Sequence, residues 1–260
     1  MTGLTHAELD ITRTDDVKRL LEQHGPDTVL NAAAMTAVDR CEGEKEIAFA
    51  INAEAPARIA GLCRERGIRF IHFSSDYVFD GRKRIPYTEE DIPAPLSVYA
   101  ASKFEGEKRV MEANPAALVV RVAWTFRKGG GTFLCRLREM VLEQEHLQVA
   151  NDRVGNCTYA PDLAAAADQL AQNNVSGLVH VTNEGDLSWF DFAVVLRETA
   201  LRMGLFPRCQ KIMPISSASL NLPARRPTYS VLDKSRYHQL TGNTMRPWRE
   251  TLCDFLRESV

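Results

Sequence analysis

The sequence has 260 residues, 45% hydrophobic and 25% charged, with 32 basic against 34 acidic side chains. That length can bury a core as one large or two modest domains, and a net charge of −2 offers no basic excess for nucleic acid or an anionic membrane surface. No apolar run is long enough to span a bilayer, and Met1–His6 lacks the apolar core of a signal peptide. The six cysteines (41, 63, 135, 157, 209, 253) have no paired short spacing. That speaks against a zinc cluster or a disulfide framework and for a reducing, cytoplasmic setting.

Residues 7–11 read as a short extended segment. Thr12 or Thr14 can cap a helix to about Gln23, with Val17, Leu20 and Leu21 as its apolar face, and Gly25-Pro26 stops it. Thr28 to Ala34 reads as a buried parallel strand ending in small residues. A long helix is expected from about Lys45 to Arg66, with Ile47, Ile51, Ala55, Ile59 and Leu62 as its stripe and Gly67 as its terminator. Arg69 to Ser75 is the next strand. A loop with Gly81, Pro86, Pro93 and Pro95 leads to a helix carrying Tyr99 and Lys103, which ends by Asn114-Pro115. Further strands are expected at 117–122, 147–149 and 178–181. Further helices are expected at about 132–144 and 162–171, after Ser188, and at the carboxyl end around Trp248, Leu252, Phe255 and Leu256. Strands alternating with helices imply an α/β fold, a parallel sheet covered on both faces. Ligands then bind beyond the carboxyl ends of the strands. Asn31–Ala34 and Ser74–Asp76 both fall at such ends.

Tyr99 and Lys103 are one helical turn apart and share a face. That spacing is common on helices, but Ser75 ends the strand just before. A phenol has an ordinary pKa of about 10, and a nearby ammonium favours its phenolate. Hydroxyl, phenol and ammonium together can hydrogen-bond and protonate a newly formed alkoxide, which is carbonyl-reductase chemistry. Trp124 reads either as a core aromatic or as a ligand platform. Arg225 and Arg226 read equally as a phosphate clamp or as part of a solvated loop. Isolated Cys157 reads as a packing residue rather than a nucleophile.

Several segments together resemble the dTDP-4-dehydrorhamnose reductase family, an extended short-chain dehydrogenase/reductase group. They are Asn31-Ala-Ala-Ala-Met-Thr-Ala-Val-Asp39, Ser74-Ser-Asp-Tyr-Val-Phe-Asp-Gly81, Tyr99-x-x-x-Lys103, Arg121-x-x-Trp124, Ser188-Trp189-Phe190 and Arg226-Pro227-x-Tyr-Ser-Val-Leu-Asp233. They run in family order over nearly the whole chain. The resemblance implies a Rossmann-like parallel sheet with helices on both faces plus a small substrate-binding lobe. It implies a cofactor-binding part at 1–122, 148–183 and 228–245, and a substrate lobe at 123–147, 184–227 and 246–260. The implied reaction is NADPH- or NADH-dependent reduction of the 4-keto group of a dTDP-linked deoxyhexose. Ser75, Tyr99 and Lys103 become the catalytic set, with Ser75 where the family commonly has threonine. Ser75, Asp76, Trp124 and Arg226 become substrate contacts. Asp10, Ile11, Ala33, Ala34, Met35 and Thr36, with Tyr99 and Lys103, become cofactor contacts. The segment Arg127-Lys128-Gly129-Gly130-Gly131 resembles a phosphate cradle before a helix, but it lacks the Gly-Lys-Ser/Thr order of a P-loop and reads rather as a mobile loop over the sugar site. Cys157 stands where the family often has proline.

The family opens with a strand, a glycine-rich turn, a helix and a second strand that together hold the cofactor's pyrophosphate and adenine ribose. No Gly-x-x-Gly-x-x-Gly occurs in these 260 residues. The expectation is therefore an amino-terminally truncated chain, weak cofactor binding and an exposed edge on the strand at 28–34. Some relatives use magnesium at a dimer contact, so Mg and a homodimer come with the resemblance, but no metal ligands map onto this chain. The methionine adenosyltransferase regulatory subunit also resembles Ser74–Lys103, including Glu89-Glu90-Asp91-Ile92-Pro93-Ala94-Pro95, and acts by binding a partner. A reductase or epimerase of another nucleotide sugar is a third reading. Thr36-Ala37-Val38-Asp39 and Ser188-Trp189-Phe190 favour the reductase.

Overall fold

The computed structural model describes residues 2–127 and 129–257. The first helix, α1 (Thr14–His24), ends at Gly25 in the left-handed conformation, whose N–H closes on the Leu21 carbonyl. Residues 7–11 form turns rather than an extended segment. The reason is local: Thr12 N–H and Oγ1 both donate to the Asp10 carboxylate, which curls the chain before α1. Strand β1 (Thr28–Asn31) stops three residues short of Ala34, and α2 (Val38–Gly43) follows.

The long helix arrives in three pieces: α3 (Lys45–Phe49), a π-helical turn (Ala50–Glu54) and α4 (Ala55–Glu65). Pro56 explains the break. It has no N–H to give to the Asn52 carbonyl, so the helix widens there. Next come β2 (Arg69–Ser75), α5 (Val98–Ala113) and β3 (Leu118–Val122). Ser97 caps α5 by accepting from Ala100 N–H. Gly106 of α5 lies against the Asn52 backbone so closely that a Cβ would collide with its carbonyl. The helix break and the glycine therefore belong to one close crossing.

The remaining elements are β4 (Thr125–Phe126), α6 (Phe133–Glu143), β5 (His146–Ala150), β6 (Val154–Gly155), β7 (Thr158–Tyr159), α7 (Ala160–Gln172) and β8 (Gly177–His180). After these come β9 (Leu187–Ser188), α8 (Trp189–Arg202), β10 (Lys211–Ile215), α9 (Ser235–Thr241) and α10 (Trp248–Arg257). A capping box starts α8: Ser188 Oγ accepts from Asp191 N–H, and the Asp191 carboxylate accepts from Ser188 N–H.

The main sheet is parallel, in the order β1-β2-β3-β8. Alternate residues of each strand face opposite layers. Phe70 and Val119 pack with Val17, Leu21, Ile59, Cys63 and Val110 under α1, α4 and α5. Ile71, Leu118 and Val120 pack with Leu163, Leu170 and Tyr237 under α7 and α9. β1 is an edge strand, and its Leu30 is 42% exposed. A second core gathers Phe126, Leu137, Leu147, Phe192, Leu196, Trp248 and Phe255 around α6, α8 and α10. Strand β5 pairs with β10 and packs in this second core. Residues 148–150 therefore lie away from the main sheet, although the resemblance placed them with it.

Candidate active site

The site forms where β2 ends. Ser75, its last residue, turns the chain into a short 3-10 turn by accepting from Tyr77 N–H through Oγ (3.2 Å). Its own hydroxyl donates to the Asp76 carboxylate (3.1 Å). The other Asp76 oxygen accepts from Ser230 Oγ at 2.6 Å. Asp76 is fully enclosed, and burial pushes its carboxyl up to about 7 against the pull of the Ser230 and Ser75 hydrogen bonds. It therefore changes charge close to neutral pH.

The start of α5 brings Tyr99 and Lys103 to the same place. Tyr99 is buried among Cys41, Ala48 and Met35 and lies edge-on to Tyr77, with the Ser75 side chain near enough to bear on its phenol. Burial raises the phenol's pKa, with the Ser75 hydrogen bond opposing. The expected lowering by Lys103 is overturned. Lys103 Nζ donates instead to the Phe73 carbonyl at 2.6 Å. Tyr99 is thus a protonated acid at neutral pH. Lys103 is 2% exposed, and burial lowers its pKa to about 8, opposed by Glu107. Its other neighbour is His72 Nε2 at 3.5 Å. His72 is bonded through Nδ1 to Asn31 Nδ2 (3.1 Å) and is kept neutral by burial and by the Lys103 charge.

Asn52 was not singled out by the sequence reading. It is wholly buried and fixes the end of β1: its Oδ1 accepts from Met35 N–H (2.8 Å), and its Nδ2 donates to the Met35 carbonyl and to Ser102 Oγ. Ala33 and Thr36 remain exposed there, while Ala34 and Met35 are half-buried. Asp10 and Ile11 stand in the turn before α1. The Asp10 carboxylate is held by Thr12, and Ile11 packs under the sheet beside Val29.

The opposite wall comes from the second core. Trp124 has a left-handed backbone (φ 37°), which is costly for a bulky residue. Its ring lies on Gly155, where a Cβ would meet the indole at 2.9 Å and Ser230 Oγ at 3.0 Å. Among the described residues its buried Nε1–H has no partner. Trp124 packs against Trp189 (centroids 5.8 Å), and Trp189 against Phe133 (4.3 Å). Arg226 is largely committed: it makes a two-pronged ion pair with Asp39 (2.9 and 2.7 Å) and donates to the Ala224 carbonyl. Arg225 is exposed. In the glycine-rich segment, Lys128 lies outside the described residues. Cys157 is buried, and burial raises its thiol's pKa well above the ordinary value, as suits a packing residue.

A nicotinamide cofactor fits this geometry in part. The phenol, the lysine and the open small-residue end of β1 suit a nicotinamide ribose. The helix starts beside β1 suit phosphate poorly, since α1 begins with Asp15 and Asp16 and α2 with Asp39. Among the described residues, no three His, Cys, Asp or Glu side chains converge as a metal site. Also among them, no helix is long and apolar enough to cross a membrane.

The whole of residues 1–260 matches the family model described as RmlD substrate binding domain. This chain belongs to the dTDP-4-dehydrorhamnose reductase family. A dTDP-4-dehydrorhamnose reductase of Mycobacterium tuberculosis is 40% identical over 263 residues, covering 98% of this chain and 84% of the relative. A Streptomyces antibioticus protein named a probable dTDP-4,6-dihydroxy-2-methyloxan-3-one 4-ketoreductase is 36% identical, covering 97% and 84%. The crystal structure of the Bacillus anthracis dTDP-4-dehydrorhamnose reductase in complex with NADP superimposes with a TM-score of 0.91 at 31% identity, covering 98% of this chain and 89% of that one. These names favour the reductase over the regulatory-subunit reading.

Proposed function

We propose that this chain reduces the 4-keto group of a dTDP-linked deoxyhexose with NADPH or NADH, in the manner that makes dTDP-L-rhamnose. The observation that carries the reading is the meeting of Ser75, Tyr99 and Lys103 at the carboxyl end of β2 in a chain of this family. The cofactor, when bound, supplies the hydride that reaches the sugar's C4. Tyr99 Oη–H supplies the proton to the same carbonyl's oxygen, so that C=O becomes CH–OH. Its raised pKa suits an acid, because the proton stays on until the alkoxide forms.

Ser75 is the second donor to that oxygen. With Asp76 ionised, the Ser75 hydroxyl is turned toward the carboxylate. With Asp76 protonated, the acid can donate to Ser75 Oγ, which frees the Ser75 proton for the substrate. Lys103, anchored by the Phe73 carbonyl, restores the Tyr99 proton and holds a ribose hydroxyl of the cofactor. The proposed cofactor contacts are Ala33, Ala34, Met35 and Thr36 at the end of β1, and Asp10 and Ile11 on the adenine side. Trp124 and Asp76 face the sugar, and Arg226 stiffens the wall through Asp39. The main sheet would then carry the cofactor and the second core the substrate. The same proposal includes a homodimer, read by light scattering, and a cytoplasmic location, read by fractionation.

The test is product identification. The 260-residue chain is incubated with dTDP-4-dehydrorhamnose and each nicotinamide cofactor, and the product is identified by mass spectrometry and NMR. The reading predicts dTDP-L-rhamnose, formed with one equivalent of cofactor oxidised. Absence of that product at saturating cofactor contradicts it. The Streptomyces antibioticus relative gives a second reading, another dTDP-4-keto sugar, which the same assay addresses with that substrate.

A further inference from the structure

His72 is buried and neutral, and the proton-delivery steps above do not use it. It lies in β2 directly across from Asn31 of β1, so the two side chains leave one face of the sheet as neighbours. Phe70, two residues earlier on that face, stacks on the imidazole and holds its plane (centroids 6.4 Å, planes 10° apart). Each ring nitrogen has a polar neighbour. Asn31 Nδ2 is 3.1 Å from Nδ1, and Lys103 Nζ is 3.5 Å from Nε2. Asn31 and Lys103 are buried as well.

A neutral imidazole has one N–H and one bare nitrogen, and its partners decide which is which. Asn31 decides here. Its Oδ1 accepts from Ala33 N–H at 3.2 Å, so the amide oxygen points to the backbone and the amide NH2 to His72. Turning the amide over would set its NH2 against the Ala33 N–H. His72 Nδ1 is therefore the acceptor, and the ring proton sits on Nε2, aimed at Lys103 Nζ. An ammonium has donors only and is repelled by that N–H, whereas a neutral amine has a lone pair to accept it. The distances agree: Nζ makes its short bond to the Phe73 carbonyl at 2.6 Å and stands off from Nε2. Among the described residues, the ionisable groups around this turn of α5 are Tyr99 and Glu107 on the helix, His72 on β2, Asp76 and Tyr77 on the turn beyond β2, and Cys41 on α2. Glu107 favours the ammonium, but Arg121 holds both its oxygens. Asp76, Tyr77 and Cys41 bear on Tyr99.

We infer that Asn31 and His72 are a positioning pair that fixes an Nε2–H against Lys103 Nζ, favours its neutral amine, and so makes Lys103 a ready proton donor to Tyr99. This rests on the reductase reading above, in which Lys103 restores the Tyr99 proton. In that step an N–H bond of the ammonium breaks and the Oη–H bond of the Tyr99 phenolate forms. The amine keeps the electron pair and accepts from His72 Nε2–H. A proton from solvent restores the ammonium between turnovers, and His72 itself neither gains nor loses a proton. The tautomer acts in the same direction as burial, which lowers the Lys103 pKa to about 8.

The test is nuclear magnetic resonance on the 260-residue chain, without substrate. Long-range proton–nitrogen correlation in histidine-labelled protein reads the His72 tautomer, its signals assigned by their loss in His72→Gln. The expected result is Nε2–H, unchanged from about pH 6 to 8. An Nδ1–H tautomer, or an imidazolium at neutral pH, overturns the inference. The Lys103 Cε signal of lysine-labelled protein, assigned by its loss in Lys103→Met, should titrate near pH 8 in wild type. Its midpoint should rise by about one pH unit or more, a tenfold gain in proton affinity, in two variants. In Asn31→Asp the carboxylate accepts from both Ala33 N–H and His72 Nδ1–H, which leaves a bare Nε2 to accept from the ammonium. His72→Gln adds no charge and turns its amide oxygen to the ammonium. A rise in Asn31→Asp alone is the effect of added charge and overturns the tautomer lock, as does a rise in neither. Should one variant fail to fold, the wild-type tautomer and the other variant decide. The reductase reading is tested apart, by turnover. Its alkaline limb should move with the Lys103 midpoint, and a limb that stays in place overturns the use of Lys103 in returning the proton. Absence of reduction by wild type sinks the reductase reading and leaves the tautomer and its hold on Lys103 standing.

Discussion

Lys103 and Glu107 are successive residues on one face of α5, yet they sit in opposite electrostatic situations. Glu107 meets Arg121 of β3 in a buried two-pronged ion pair at 2.8 and 2.7 Å, with both side chains almost wholly enclosed. Arg121 also stacks on Phe79. Every charge there has its partner, and the pair ties helix to sheet. One turn earlier, Lys103 has a backbone carbonyl and a neutral histidine in place of a carboxylate. Asp76 is a buried acid held by the Ser75 and Ser230 hydroxyls, with no cation paired to it among the described residues. Satisfied burial of charge marks a structural joint, whereas unsatisfied burial marks chemistry waiting for a ligand.

The largest expected effect lies on the satisfied side. Arg121→Met leaves Glu107 buried without its partner and should cost about 3–5 kcal/mol of stability. Thermal melting should then fall by roughly 10 °C. A fall of only a degree or two would mean that the pair is not the joint it resembles. Gly106→Ala drives a methyl into the Asn52 carbonyl at the break between the two parts of the long helix. It should cost about 1–3 kcal/mol in urea unfolding. Because Asn52 holds Met35, it should weaken cofactor binding too.

Lys103→Met should go the other way. In the fold Lys103 releases its proton near pH 8, and in the unfolded chain near 10.5, so its charge destabilises the native state at pH 7. That penalty fades as pH rises from about 8 to 10.5. Removing the amine should stabilise the protein at pH 7 by about 1–2 kcal/mol after allowing for the lost bond to Phe73, while turnover collapses. Destabilisation at pH 7 would contradict the picture of an uncompensated charge.

The smallest effect concerns Asp76. Its folded pKa, about 7, lies above the ordinary 3.8, so its contribution to stability is greatest at acid pH and is lost as pH rises from about 4 through 7. Ser230→Ala removes a bond that favours the charged form. It should move the apparent pKa in the pH–rate profile upward and cost about 1 kcal/mol of stability. A profile unchanged in Ser230→Ala would mean that Asp76 does not govern the reaction.

Most of the main sheet was legible because its strands are apolar runs ended by small or polar residues, and Arg69–Ser75 matches its expected limits. Tyr99 and Lys103 were legible because a helix fixes the spacing of a face. Asn52 was hidden in a helical stripe that read as packing. The signal was Pro56, four residues on, which denies the Asn52 carbonyl its helical partner. Ser230 lies far from β2 in sequence and reaches Asp76 through the pairing of β6 with residues 228–230, which no local pattern announces. Strand β10 carries Pro214 and, among the described residues, pairs only with β5, so its residues lacked a strand signature. The lowered acidity of Tyr99 depends on burial, which spacing alone does not reveal.

The most direct measurement is the single-turnover rate of dTDP-4-dehydrorhamnose reduction by wild type and by Tyr99→Phe, each at saturating cofactor. Phenylalanine keeps the ring among Cys41, Ala48 and Tyr77 and removes only the proton. The account predicts a loss on the order of 10²–10⁴-fold with little change in substrate affinity. A Tyr99→Phe rate within a few-fold of wild type would contradict it.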